Sequence, residues 1–305
     1  MPADIRPAAP PPGIRYAGIG DEAAPALADQ LAAVHRLGWD AVELRTVDGR
    51  ALADLDDLAF GALTEQLAAT GTDVVCVDSR IADWSRPVTG PFARDTDELH
   101  TLARRCPALG TRYVRVMSYP NDGLAEPEWA RRVEQRMTVL ARQAEDAGLV
   151  LLHENCAGWA GTRADRMLDL LARVDSPALR LLFDTGNGVP YGYAATELLA
   201  AVVDFVDHVH IKDALPTGPG EAVYTLPGQG AAQLRECLGL LLRGGWRGTW
   251  SIEPHTRLRP HDGTDSRDAD GPAAFVAYGR ELERFVAKEV VAVAVPAAHG
   301  SGGHG

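Results

Sequence analysis

Four apolar runs in the second half of the chain end in side chains that can hold a cation. VLLHEN carries Glu154, LRLLFDT carries Asp184, VDHVHIKD carries His210 and TWSIEP carries Glu253. A carboxylate at the end of a buried run is costly unless a cation, a hydrogen-bond network or solvent stands beside it. Taken singly, each residue reads as a loop cap, an ion-pair partner or a hydrogen-bonded imidazole. Taken together, two Glu, one Asp and one His form a hard, oxygen-rich donor set with a single nitrogen. Such a set suits Mn²⁺ best, then Mg²⁺, Co²⁺ or Zn²⁺, so the implied cofactor is one divalent metal ion.

Neighbours at the same strand parity would face the same point. Glu43 and Arg45 close the run AVELR, where they read equally as a solvated rim pair or as substrate contacts. Lys212 follows His210 by two residues, in position to hold a hydroxyl, carboxylate or phosphate oxygen, and His255 follows Glu253 in the same way. His153 is one residue off Glu154 and is expected to point away from them, toward the helices.

Elements able to position these residues alternate along the whole body. Strand-like runs cover 15–20, 41–45, 72–79, 113–118, 149–155, 179–185, 206–213 and 249–254, separated by stretches such as PALADQLAAVHRLG with apolar residues at helical spacing. Gly38, Gly71, Gly110, Gly148 and Gly245 stand just before strands, where a left-handed helix cap is needed. Eight βα units in a chain of 305 residues predict a single-domain (β/α)₈ TIM barrel of parallel strands, preferred over an open doubly wound sheet. The barrel is expected over 14–288, preceded by a flexible Pro/Ala arm at 1–13 and followed by a flexible tail at 289–305. In such a barrel the C-terminal strand ends form the active site, which is where the four candidate ligands stand.

A net charge of −12 and the lack of any Lys/Arg cluster exclude a nucleic-acid partner. No apolar run reaches membrane-span length, so no membrane partner is expected. Four widely spaced cysteines without a CxxC pair, and an N-terminus without a signal-like apolar region, suggest the cytoplasm. The Gly/Pro-rich segments 214–230 and 255–271 have the length of lids or interface arms. Trp84, Trp159, Tyr191 and Tyr193, just beyond strand ends, are candidates for apolar walls.

Glu154 in HEN, Asp184 in FDTGN, His210 in HVHIKD and Glu253 in SIEPH, with GIGDEAA and GWDAVELR near the start, resemble the xylose isomerase-like sugar phosphate isomerase/epimerase superfamily. The resemblance spans residues 14 to about 288. It implies a metal-dependent isomerase or epimerase on a sugar or keto-polyol, working through a metal-stabilised enediolate, in a homo-oligomer (dimer or tetramer). Glu154 and Glu253, from strands separated by two others, would remove and return the proton from opposite sides. The ketohexose 3-epimerases of that superfamily carry a His where this chain has Asn187, a Glu at Ala160 and an Arg at Pro216. The metal chemistry survives those changes and the substrate grip differs, with Asn187 itself a candidate substrate contact. The same chemistry can serve a lyase or dehydratase, including C-glycoside cleavage of a 3-keto glycoside. A non-catalytic sugar-binding barrel is the bland alternative. A three-zinc DNA-repair endonuclease of the same fold is disfavoured by the acidic charge.

Overall fold

The computed structural model describes residues 9–256 and 270–291. Eight strands form one sheet: β1 Ile14–Gly18, β2 Ala41–Leu44, β3 Asp73–Asp78, β4 Tyr113–Ser118, β5 Val150–Gly158, β6 Leu179–Asp184, β7 Val206–Ile211 and β8 Gly248–Ile252. Their order is β1-β8-β7-β6-β5-β4-β3-β2, with every paired neighbour parallel. A single parallel bridge between Ile19 and Glu43 joins β1 to β2, so the sheet closes into the expected (β/α)₈ barrel.

The outer layer comprises α1 Leu27–Arg36, α2 Asp57–Thr70, α3 Ala93–Leu109, α4 Glu126–Asp146, α5 Ala164–Val174, α6 Ala195–Val202, α7 Leu234–Arg243 and α8 Gly271–Phe285. None is long and apolar enough to cross a membrane. All five glycines singled out as helix stops have positive φ, between 63° and 72°. Cβ strain would disfavour another residue there. The four cysteines are free. Residues 1–8 of the proposed arm, 292–305 of the proposed tail and 257–269 of the segment 255–271 lie outside the described residues, and helix continues through the proposed start of the tail at 289.

Strand parity divides the core in two. Leu151, Leu181, Phe183, Val209, Ile211, Trp250 and Ile252 face outward into the main apolar core with the helices. The alternate positions form a small inner plug of Cys76, Val150, Leu152 and Leu182, below the polar ends of the strands. His153 shares the parity of Leu151 and is buried, in agreement with its expected outward placement. Neither ring nitrogen finds a hydrogen-bond partner among the described residues. Burial accordingly pushes its pKa down to about 4.

One expected loop is structured. Residues Asp213–Gly218 and Glu221–Thr225 pair as an antiparallel hairpin standing on the end of β7. Its root is the buried Asp213 carboxylate, which accepts backbone N–H groups from Ala214, Gly228, Gly230 and Ala232 at 2.9–3.1 Å. Gly and Pro letters suggested an irregular segment because the alternation over these residues is short and one face is exposed.

His153 makes stability pH-dependent. Its folded pKa lies below the ordinary value of 6.5, so the unfolded chain takes up the proton first as pH falls. Its contribution is complete above about pH 6.5 and declines toward pH 4, by about 3 kcal/mol at most. Thermal melts between pH 7.5 and 4.5 should show a shallower decline for His153→Phe than for wild type; parallel declines would refute the assignment.

Candidate active site

Glu154 stands late in β5, Asp184 ends β6, His210 is the penultimate residue of β7 and Glu253 follows β8 directly. All four are between 0 and 5% exposed. One donor atom from each lies within 4.8 Å of the other three. His210 Nδ1 is 4.0 Å from Glu154 Oε1, 4.0 Å from Asp184 Oδ2 and 3.5 Å from Glu253 Oε2.

Asp184, His210 and Glu253 are each anchored through one atom while another converges on the centre, and Glu154 does both through Oε1. Asp184 Oδ1 accepts the backbone N–H groups of Gly186 and Asn187 at 2.7 and 2.9 Å. Glu253 Oε1 accepts from Arg45 Nη1 at 3.1 Å, and Glu154 Oε1 accepts from Asn187 Nδ2 at 3.0 Å. Asp184 Oδ2, Glu253 Oε2 and His210 Nδ1 have no hydrogen bond of good geometry among the described residues. The Lys212 ammonium nevertheless lies 2.8 Å from Asp184 Oδ2 and 2.6 Å from Glu253 Oε2. Three carboxylates and one imidazole converging on one point form an oxygen-rich donor set that fits a hard divalent cation.

The electrostatics follow from burial and these neighbours. Burial raises Asp184 to about 6, against the pull of Lys212. Burial also favours neutral Glu253, but Lys212 and His255 outweigh it and hold the carboxyl well below its usual range. Lys212 stays well above its ordinary value because Asp184 and Glu253 overcome the desolvation that would lower it.

Glu43, read as a rim residue able to touch substrate, is placed differently. It is fully buried and does not line the cavity; its Oε2 is 2.9 Å from His208 Nε2 and its Oε1 3.0 Å from His210 Nε2. Despite burial, these two imidazoles hold Glu43 well below the usual carboxylate range. With Nε2–H donated to Glu43, His210 would offer its Nδ1 lone pair to an ion bound at the centre, the arrangement by which a carboxylate orients a metal-ligating imidazole. Beside Glu43, burial and its negative charge push the Asp78 carboxyl well above its usual range.

The remaining sequence candidates do line the cavity, which has a volume of about 350 Å³. Arg45 is held by four hydrogen bonds, two to Asp21 at 3.2 and 2.8 Å, one to Glu22 and one to Glu253, both at 3.1 Å. Asn187 also accepts from Lys212 Nζ at 3.3 Å, so it touches both Glu154 and the ammonium. His255 Nε2 lies 3.2 Å from Glu22 Oε1 and 3.3 Å from Glu253 Oε1. The hairpin contributes Gly220 and Tyr224, whose ring meets that of His255 edge-on. Of the four aromatic candidates, Trp84 and Tyr191 form walls. Trp159 instead donates to Glu126 and Tyr193 pairs with Asn155, and neither lines this cavity.

Sequence reasoning missed Asp21, Glu22, His208 and Arg115. His208 was within reach, since it shares parity with His210 in VDHVHIKD.

Residues 31–270 match the model of the xylose isomerase-like TIM barrel family, and the chain belongs to that family. It is 25% identical over 142 residues to an inosose dehydratase of Clostridium beijerinckii, covering 42% of this chain and 47% of that protein. It is 33% identical over 148 residues to the 2-epi-5-epi-valiolone 7-phosphate 2-epimerase of an Actinoplanes species, covering 47% and 50%. The chain thus spans about half the length of these curated relatives. A xylose isomerase-like TIM barrel protein from Mycobacterium smegmatis, solved in complex with magnesium, shares the fold at a TM-score of 0.64 and 20% identity, over 89% of this chain and 96% of that one.

Glu43→Gln should weaken divalent-metal affinity about 10- to 100-fold while the thermal unfolding of the metal-free protein stays cooperative. Calorimetric titration with Mn²⁺ measures it; unchanged affinity would remove the orienting role.

Proposed function

We propose that the protein is a divalent-metal-dependent isomerase or epimerase acting on a sugar or keto-polyol by proton transfer beside a carbonyl. The observation that carries this reading is the convergence of Glu154 Oε1, Asp184 Oδ2 and Glu253 Oε2 around His210 Nδ1, beside a cavity that Glu154 and Glu253 line. The relatives support the class, since one is named for an epimerisation and another for a dehydration.

Glu154, Asp184, His210 and Glu253 would hold the ion, with Mn²⁺ the best match to the donor set. Bound there, it would polarise the substrate carbonyl as a Lewis acid. The chain itself supplies the proton chemistry. Glu154 and Glu253 flank the cavity floor from β5 and the end of β8, with β6 and β7 between them. Carboxylates so separated can take a proton from one side of a substrate carbon and return one from the other. Arg45 and His255 orient Glu253, and Asn187 orients Glu154. The Lys212 ammonium, kept charged by Asp184 and Glu253, stands where it can hold a substrate oxygen as negative charge develops.

A dehydratase is the second reading, favoured by the inosose dehydratase relative. It uses the same initial proton removal and then expels a β-hydroxyl, with one of the carboxyls returning the proton to the departing oxygen.

Metal analysis should find near-stoichiometric manganese or a similar ion in the wild type and loss of it in the Glu154→Gln, Glu253→Gln double variant. Keto-sugars incubated with the metal-loaded enzyme in D₂O should take up deuterium at carbon. Uptake without an eliminated product selects the isomerase, and release of water selects the dehydratase. A protein that binds no metal even after soaking would overturn both.

A further inference from the structure

The substrate cavity is bordered by a second one of about 220 Å³, lined by Thr46, Ser79 and Ser85 among others, and Arg45, Trp84 and Arg115 line both. The polar groups of this wall are mostly committed. Thr46 Oγ1 donates to Asp21, Ser79 Oγ to the Arg115 carbonyl and Ser85 Oγ to Asp83. Arg45 is held by carboxylates through four bonds, and Arg80 places its fork on Asp54 with both contacts at 2.7 Å.

Arg115 differs. It projects inward from β4, is 4% exposed, and its Nε and Nη1 have no hydrogen-bond partner among the described residues. Its nearest carboxylate oxygens, Asp78 Oδ1 and Glu154 Oε2, both lie 3.5 Å from Nε, beyond hydrogen-bonding distance. Glu154 belongs to the ligand set, and Asp78 is pushed toward its neutral form by burial and by Glu43, so neither is a dedicated counter-ion. A buried guanidinium with unspent donors at Nε and Nη1 is costly until an anionic acceptor meets them.

We propose that Arg115, at the junction of the two cavities, is the receptor for an oxyanion substituent of the substrate, a carboxylate or a phosphate carried on the keto-polyol. The inference rests on the reading of the larger cavity as the keto-polyol site and adds the chemical class of the substrate. The polyol end reaches the four ligands while the anionic end engages the guanidinium on the β2–β4 side. Arg115 is a specificity residue in this account and takes no part in proton transfer.

Three ketoses with one skeleton test it: D-fructose, D-fructose 6-phosphate and D-fructuronate, titrated by calorimetry into the Mn²⁺-loaded protein. At least one anionic ketose should bind about tenfold or more tightly than D-fructose, as expected for a charge-assisted hydrogen bond. The phosphate and carboxylate arms distinguish the two sources. Arg115→Met should abolish the preference, and Arg115→Lys should keep part of it, with metal content unchanged in both. Equal binding of all three sugars, no binding of either anion, or a preference that persists in a folded Arg115→Met protein would overturn the proposal. Metal content is read separately, so loss of the ion in wild type would count against the metal-dependent function without bearing on the anion preference, which the same titrations of metal-free protein still report.

Discussion

Concentrated charge inside the barrel mouth is the constraint from which the rest follows. Asp21, Glu22, Glu43, Asp78, Glu154, Asp184 and Glu253 are all buried there, and a buried carboxylate without compensation is severely unfavourable. The fold answers with cations and hydrogen-bond donors placed between acids from different strands. Lys212 bridges Asp184 and Glu253, while the imidazoles of His208 and His210 share Glu43. Removing any member strands another, so the mouth behaves as a network rather than as a set of pairs.

This network also secures the weakest part of the sheet. Between β1 and β2 the backbone offers one isolated bridge, Ile19 to Glu43, where other neighbours pair over two to five residues. Arg45, just after β2, binds Asp21 and Glu22 after β1 and Glu253 after β8. Side-chain ion pairs thus stitch the seam that backbone hydrogen bonds leave thin. The same arginine holds one face of Glu253, which ties closure of the barrel to the shape of the site.

Strands carry Glu43, Arg115, Glu154, Asp184 and His210, while Arg45, Lys212 and Glu253 stand one residue past strand ends. Asn155 holds the backbone of Asp184 through both its amide groups, fixing the end of β5 against the end of β6. The Asp213 carboxylate, three residues beyond His210, pins the hairpin that brings Tyr224 over the cavity. A constellation built on strands and braced in this way is held more precisely than one on free loops.

The barrel was legible because its signals are local: apolar runs of strand length, helical periodicity between them and glycines at the stops. Parity within a run likewise sorted Glu154, Asp184, His210 and Glu253 inward and His153 outward, since successive side chains on a strand face opposite ways whatever the partners. The fate of Glu43 was not legible, because rim and interior have the same parity. Only its contact with His208, a residue 165 positions away, makes it a buried acceptor for imidazoles. Arg115 was hidden for a related reason: within YVRVMS it resembles a solvent-facing residue, and only closure of the sheet turns that face into the inside of a barrel. The sequence by itself determined the elements and the side of each strand on which a residue stands. Tertiary structure decided which charges meet across the barrel, because that depends on strand register and ring closure, which no single segment encodes.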